Sequence, residues 1–362
     1  LDQAAFVANA PTILNDVLTR LSASQQALLD LNASPITPGA IPGLGPLGQP
    51  PALPLGTDPA ASVQPQTEAK AEPELAKQLP DKTVEEWLAE LDALVGLESV
   101  KAEIRRQTAI LRVDALRTEA GLKSPTITRH LIFTGNPGTG KTTVARMVAG
   151  IYKAIGLLSK GQLVEVDRSE LVAGYLGQTA MKTADVVAQA IGGVLFIDEA
   201  YGLAGDQYGE EAINTLVKEM EDNRDDLVII VAGYPGPMAV FIAENPGLAS
   251  RFRTEIYFPN YTDAELEAIF RSMVAGSDYD LGEGVVEEFH TELGKQARDE
   301  GFGNGRYVRN IFEAAIGKHA WRLRDVEEPT LAELRSLLPD DLRPDPQPVV
   351  DWTGLPEEEP SL

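Results

Sequence analysis

The sequence predicts an α/β domain, with a five-stranded parallel sheet between layers of helices, followed by a small all-α domain. Three observations predict it. Short apolar runs alternate with helical stretches between residues 131 and 258, as expected for strands buried on both faces of a parallel sheet. The run Leu131-Ile132-Phe133 leads into Gly135-Asn136-Pro137-Gly138-Thr139-Gly140-Lys141-Thr142, a loop of the form G-x-x-x-x-G-K-[ST] placed between strand and helix. After Pro259 the strand-like runs stop, and helical spacing alone continues to about Arg324.

Residues 1–32 carry Ile13, Leu14, Val17, Leu18, Leu21, Leu28 and Leu29 at helical spacing, an amphipathic segment too small to be a domain. Residues 33–80 contain eleven prolines, and such a stretch reads as an extended linker. The α/β domain is expected over 83–259, opening where Thr83 and Glu86 form a capping box. A charged helix follows from Glu98 to about Ala120. Strands are expected at 131–134, 163–166, 194–197, 227–232 and 255–258, with helices at 142–155, 180–189 and 209–223. The all-α domain, which the resemblance given below implies to be a lid, spans 260–324, and Thr262-Asp263-Ala264-Glu265 caps its first helix. The acidic, Pro-rich tail 325–362 is expected to hold one short helix near 330–338 and otherwise to stay disordered.

Composition narrows the chemistry. Cysteine is absent and there are only three histidines, which excludes disulfides, thiol catalysis and Cys-zinc sites and argues against a His-built metal centre. No apolar run approaches the ~18 residues that span a membrane, and no secretory leader is visible, so a cytoplasmic protein without membrane insertion is expected. The net charge of −24 repels nucleic-acid phosphates and disfavours nucleic acid as a partner.

The glycine loop binds a nucleoside triphosphate in this reading. The loop residues Asn136, Pro137, Gly138, Thr139, Gly140 and Thr143 wrap the phosphates, with the backbone N–H groups of all but the proline free to turn toward phosphate oxygens, while Lys141 adds a point charge and the Thr142 hydroxyl can ligand Mg²⁺. The run Val194-Leu195-Phe196-Ile197-Asp198-Glu199 ends 57–58 residues after Lys141. A buried strand ending there brings Asp198 to the phosphates as a second Mg²⁺ ligand and Glu199 to an attacking water as general base.

Together with Leu94-Val95-Gly96-Leu97, Asp198-Glu199-Ala200-Tyr201 and Asn223-Arg224-Asp225-Asp226-Leu227, these motifs resemble the AAA+ ATPases. The stretch 192–201 and Val231-Ala232-Gly233-Tyr234 are similar to the branch holding red-type rubisco activases (CbbX), stage V sporulation protein K and the ATPases of type VII secretion. The resemblance covers about 83–324. It implies ATP and Mg²⁺ as cofactors, a homo-oligomeric ring, normally a hexamer, and a protein client. It places Val95 and Gly96 against adenine, Arg251 as an arginine finger with Arg253 as rival, and Arg306 as the lid's sensor arginine with Arg309 as rival. Sensor 1 falls at Gly233 or Tyr234. Tyr175, between Gly174 and Gly177, matches the aromatic pore loop that grips a client, and 202–209, with Asp206 and Tyr208, a second pore loop. The function this implies is a ring ATPase that remodels or partly threads a protein. A nucleotide-gated assembly scaffold and, less favoured, a nucleic-acid motor are the alternatives.

Overall fold

The computed structural model describes residues 76–123, 128–175 and 177–344. The helical segment expected at 1–32, the linker up to residue 75 and the tail beyond 344 lie outside the described residues. The chain begins with β1 (Ala76–Lys77), α1 (Val84–Ala93) and α2 (Glu98–Glu119). Next come β2 (Leu131–Gly135), α3 (Lys141–Ala154), β3 (Leu163–Val166), α4 (Arg168–Leu171), α5 (Gln178–Ala190) and β4 (Val194–Ile197). A 3-10 turn at Ala200–Leu203 leads to α6 (Gln207–Asp222), β5 (Val228–Gly233), α7 (Pro235–Glu244), α8 (Pro246–Arg251) and β6 (Thr254–Phe258).

The sheet order is β1-β3-β4-β5-β2-β6, and β2 to β6 are all parallel to one another. Side chains alternate across it. Phe133, Phe196, Ile230 and Ile256 face a core shared with α1, α2 and α3, while Ile132, Leu195, Ile229 and Val231 face α5, α6 and α7. Burial on both faces is why these strands read as unbroken apolar runs. α1 lies close on α3 because Gly150 leaves room for the Trp87 ring; a Cβ there would sit 2.2 Å from it. Both expected capping boxes form: Thr83 with Glu86, and Thr262 with Glu265.

The lid comprises α9 (Asp263–Gly276), β7 (Asp280–Leu281), α10 (Val285–Gly294), α11 (Asn304–Leu323), α12 (Leu331–Arg335), β8 (Ser336–Leu337) and α13 (Pro339–Leu342). Its core stacks Phe270 on Phe289 at 4.5 Å with Phe312 edge-on.

The short helices α4, α7 and α8 are absent from the sequence-based expectation, and two further features differ from it. The sheet gains an edge strand, since Ala76–Lys77 pairs antiparallel with β3; two residues are too few to show a periodicity. The lid also runs past Arg324. β8 pairs with β7, Leu337 is fully buried and Leu342 nearly so. Acidic composition hid this because one of the acids is structural. Asp341, itself buried, accepts two bonds from Arg322 and one from the Leu338 N–H.

Because Leu337 sits in the lid core, Leu337→Ala should cost about 2–4 kcal/mol in the lid's urea-unfolding transition. An unchanged transition would mean that the segment after Arg324 does not belong to the folded lid.

Candidate active site

The ends of neighbouring strands converge on one cavity of about 510 Å³. β2 delivers Gly135 and the glycine loop, β4 delivers Asp198 and Glu199, β5 delivers Gly233 and Tyr234, and Tyr261 comes after β6. The lid contributes Ile269 and Met273 from α9 and Gly305, Arg306 and Arg309 from α11. Leu94, Tyr261, Ile269 and Met273 offer apolar surface suited to a flat ring, while Lys141, Thr142, Asp198, Glu199 and the two arginines offer charge and hydroxyl.

The glycine loop has a phosphate-binding shape. Gly138 and Gly140 hold φ of +70° and +94°, conformations that a side chain disfavours. At Gly138 a Cβ would also lie 2.1 Å from the Gly303 carbonyl. Among the described residues, none of the backbone N–H groups from Gly138 to Thr143 donates to a protein acceptor. Six unpaired donors leading into the N-terminus of α3 form an anion cradle. Lys141 lies over it, its Nζ donating to the Gly135 carbonyl at 2.8 Å and the Asn136 carbonyl at 2.9 Å. Burial lowers the Lys141 pKa and Arg306 adds to that, while Asp198 and Glu199 oppose it.

Asp198 and Glu199 follow β4 as expected. The Glu199 N–H donates to the Asp198 carboxylate at 3.1 Å, and Glu199 holds a left-handed φ of +48°, a strained geometry of the kind found at functional turns. Its side chain is exposed, open to a water. Tyr201, two residues on, packs its ring over Gly233, where a Cβ would lie 2.7 Å away. Burial first, then the Glu199 charge, push the Tyr201 hydroxyl up to about 12, so it stays a neutral donor beside the carboxylates. Among the described residues no group of three or more His, Cys, Asp or Glu could hold a metal alone. Thr142 and Asp198 do line the cavity, a donor set that fits Mg²⁺ only when nucleotide phosphates complete its shell.

Other expected site residues are placed differently. Pro137, Gly138, Gly140, Lys141, Thr142 and Thr143 line the cavity, but the side chains of Asn136 and Thr139 do not. The Asn136 amide donates to the Asn260 side chain and the Asp299 carbonyl, and the buried Thr139 hydroxyl donates to the Asn136 carbonyl. Val95 and Gly96 lie outside the lining, and Leu94 takes their place. The turn faces α9, since a Cβ on Gly96 would lie 2.1 Å from the Glu265 carboxylate.

Arg251 is not in this cavity. It ends α8, just before β6, and Thr254 of β6 pairs with Leu131 at the start of β2. The full length of a five-residue strand, about 16 Å, separates it from the glycine loop of its own chain. Its guanidinium rests on Glu221 and Ser250, both at 3.4 Å, and on the Gly247 carbonyl at 3.2 Å, and its buried Nε has no acceptor. Arg253 is exposed and donates to the Ser250 carbonyl. Tyr175 is 73% exposed and Tyr208 half-buried.

Tyr201, Tyr261, Asn260 and Asn304 do not stand out as site residues in the sequence. The signals available are thin: Tyr201 is part of Asp-Glu-Ala-Tyr, and Asn304 stands between two glycines ahead of Arg306.

Comparison with known proteins agrees with this geometry. Residues 131–260 match the profile of the ATPase family associated with various cellular activities (AAA), and residues 262–351 match the AAA lid domain. Stage V sporulation protein K of Bacillus subtilis is 41% identical over 259 residues, covering 70% of this chain and 80% of the relative. The chloroplastic ribulose bisphosphate carboxylase/oxygenase activase of Cyanidioschyzon merolae is 44% identical over 245 residues, 66% of this chain and 84% of the relative. Among solved structures, the FIGL-1 AAA domain shares the fold with a TM-score of 0.51 at 16% identity, covering 75% of this chain and 90% of that one.

His130 generates a pH prediction. It precedes β2, its Nδ1 accepts the Ile229 N–H at 3.0 Å, and its ring lies 5.8 Å from Phe252, next to Arg251. Burial, then the charges of Arg251 and Arg129, lower its pKa to about 4. The unfolded chain takes up a proton near pH 6.5 and the folded chain only near 4, so stability falls as pH falls through that window. Relative to a His130→Asn variant, wild type should lose about 3 kcal/mol between about pH 6.5 and 4. Parallel stability curves in urea melts would contradict the buried neutral histidine.

Proposed function

The chain belongs to the AAA ATPases, and on that premise we propose that it works as a homo-oligomeric ring, a hexamer, that hydrolyses ATP at subunit boundaries to remodel a protein client. ATP hydrolysis is the activity of its family. The observation that carries the ring is the separation of Arg251 from its own cavity. An arginine at the N-terminal end of the strands cannot serve a site at their C-terminal ends, but it can serve the site of a neighbour. Its loose contacts with Glu221 and Ser250 leave it ready to exchange them for a phosphate.

The positions of the residues support these roles. The unpaired N–H groups of the glycine loop and Lys141 bind and orient the phosphates. Glu199 takes a proton from the attacking water, and Tyr201 neighbours its carboxylate. Arg306, with Arg309 beside it, brings lid charge to the phosphates, and Arg251 of the next subunit stabilises charge in the transition state. Thr142 and Asp198 would hold Mg²⁺, which supplies charge neutralisation on the phosphate oxygens when bound.

A side-chain link supports coupling to a client. Arg168, on α4 just ahead of the Tyr175 loop, donates to the Gly202 carbonyl at 2.6 Å and to Asp206 at 2.5 Å. It therefore ties the turn after Glu199 to the segment carrying Tyr175. An exposed tyrosine between glycines offers contact area with few rotatable bonds, which suits a grip on polypeptide. The relative named as an activase of ribulose bisphosphate carboxylase/oxygenase has a protein in its name as client, and a protein client is the class proposed here.

Glu199→Gln should leave ATP affinity within about threefold and lower turnover about 100-fold or more. Turnover at the wild-type rate would remove Glu199 as the base. Tyr175→Ala should keep ATP hydrolysis within about twofold while losing its stimulation by an unfolded polypeptide. Equal loss of both would place Tyr175 in the fold rather than at the client.

A further inference from the structure

Three successive carbonyls of the glycine loop are held from outside the loop. The Pro137 carbonyl accepts from the Asn304 side-chain amide at 3.3 Å, the Gly138 carbonyl from the Gly305 N–H at 3.0 Å, and the Thr139 carbonyl from the Tyr261 hydroxyl at 3.2 Å. Tyr261 lies in the strand-to-lid connection, while Asn304 and Gly305 open lid helix α11. Asn304 is fully buried at a left-handed φ of +45°. Its amide also donates to Asn260 at 2.9 Å and to the Phe302 carbonyl at 3.0 Å, and its Oδ1 accepts the Tyr261 N–H at 3.0 Å. Asn260 in turn accepts from Asn136 of the loop at 2.9 Å.

A trans peptide plane points its C=O and its N–H in opposite directions. Carbonyls 137, 138 and 139 drawn outward turn the N–H groups of Gly138, Thr139 and Gly140 the other way. Those three belong to the unpaired set that forms the anion cradle. We propose that Asn304 and Tyr261 are positioning residues that set the phosphate cradle by clamping the outward carbonyls of the glycine loop, so that nucleotide affinity depends on lid position through backbone orientation as well as through Arg306. Lifting α11 releases carbonyls 137 and 138 together, and the cradle loses its alignment. This inference rests on the ATP site proposed above and adds how the lid regulates it.

The test compares ADP, which has phosphates, with adenosine, which has none, by titration calorimetry on the full chain. Binding of ADP by wild type establishes the site itself, and failure there would count against the proposed function rather than the clamp. Asn304→Asp keeps the size, the left-handed conformation and the acceptor for Tyr261, but replaces the donor with an oxygen facing the Pro137 carbonyl. It should weaken ADP about tenfold or more, and Tyr261→Phe, which removes one hydroxyl, about threefold. Adenosine affinity should stay within about twofold in both. Tyr261→Phe decides the matter if Asn304→Asp fails to fold. Unchanged ADP affinity in a folded variant, or equal loss for ADP and adenosine, would overturn the clamp.

Discussion

Five parallel strands put their carboxyl ends on one edge of the sheet, and the loops leaving those ends assemble the site. The glycine loop, Asp198 and Glu199, Gly233 and Tyr234, and the connection through Asn260 and Tyr261 each continue from a different strand. None of these segments needs to be adjacent in sequence, because strand direction and register bring them together. The same constraint sends Arg251 to the far edge. A residue just ahead of β6 lies where β2 begins, and no rotamer carries it to the loop where β2 ends. If Arg251 is the finger proposed above, the chain carries one part of the catalytic set at each edge of the sheet, an arrangement that head-to-tail association of identical copies would complete.

The lid belongs to the same construction. An anion cradle needs donors that point inward, and their carbonyls must then find partners outside. Here those partners come largely from the lid and its hinge, so the shape of the phosphate site and the position of the lid are one variable. Buried Asn304 is in a left-handed conformation that few residues tolerate. Its four side-chain contacts in the fold account for why that strain persists.

How far the sequence revealed this depends on the range of each interaction. The glycine loop was legible because eight consecutive residues specify its backbone and its chemistry. Asp198 and Glu199 were legible because a strand buried on both faces leaves an apolar run that ends at the site. The clamp was not, since Asn304 meets Pro137 across 167 residues and nothing local marks that meeting. Composition misled at the end of the lid, where an acidic stretch looked unable to fold although Arg322 neutralises Asp341 inside it. The turn Val95-Gly96 was located correctly in the chain but lies against α9, with Leu94 presented to the cavity instead.

The shared site is tested most directly by mixing two inactive variants. Lys141→Ala removes the loop cation from one side of the proposed boundary, and Arg251→Ala removes the proposed finger from the other. Each alone should lose ATP hydrolysis. In a random equal mixture about a quarter of boundaries pair the intact Lys141 of one subunit with the intact Arg251 of its neighbour, and hydrolysis should return to about that share of the wild-type rate. A mixture as inactive as its components, or an Arg251→Ala variant that hydrolyses at full rate alone, would contradict a site completed by a second copy.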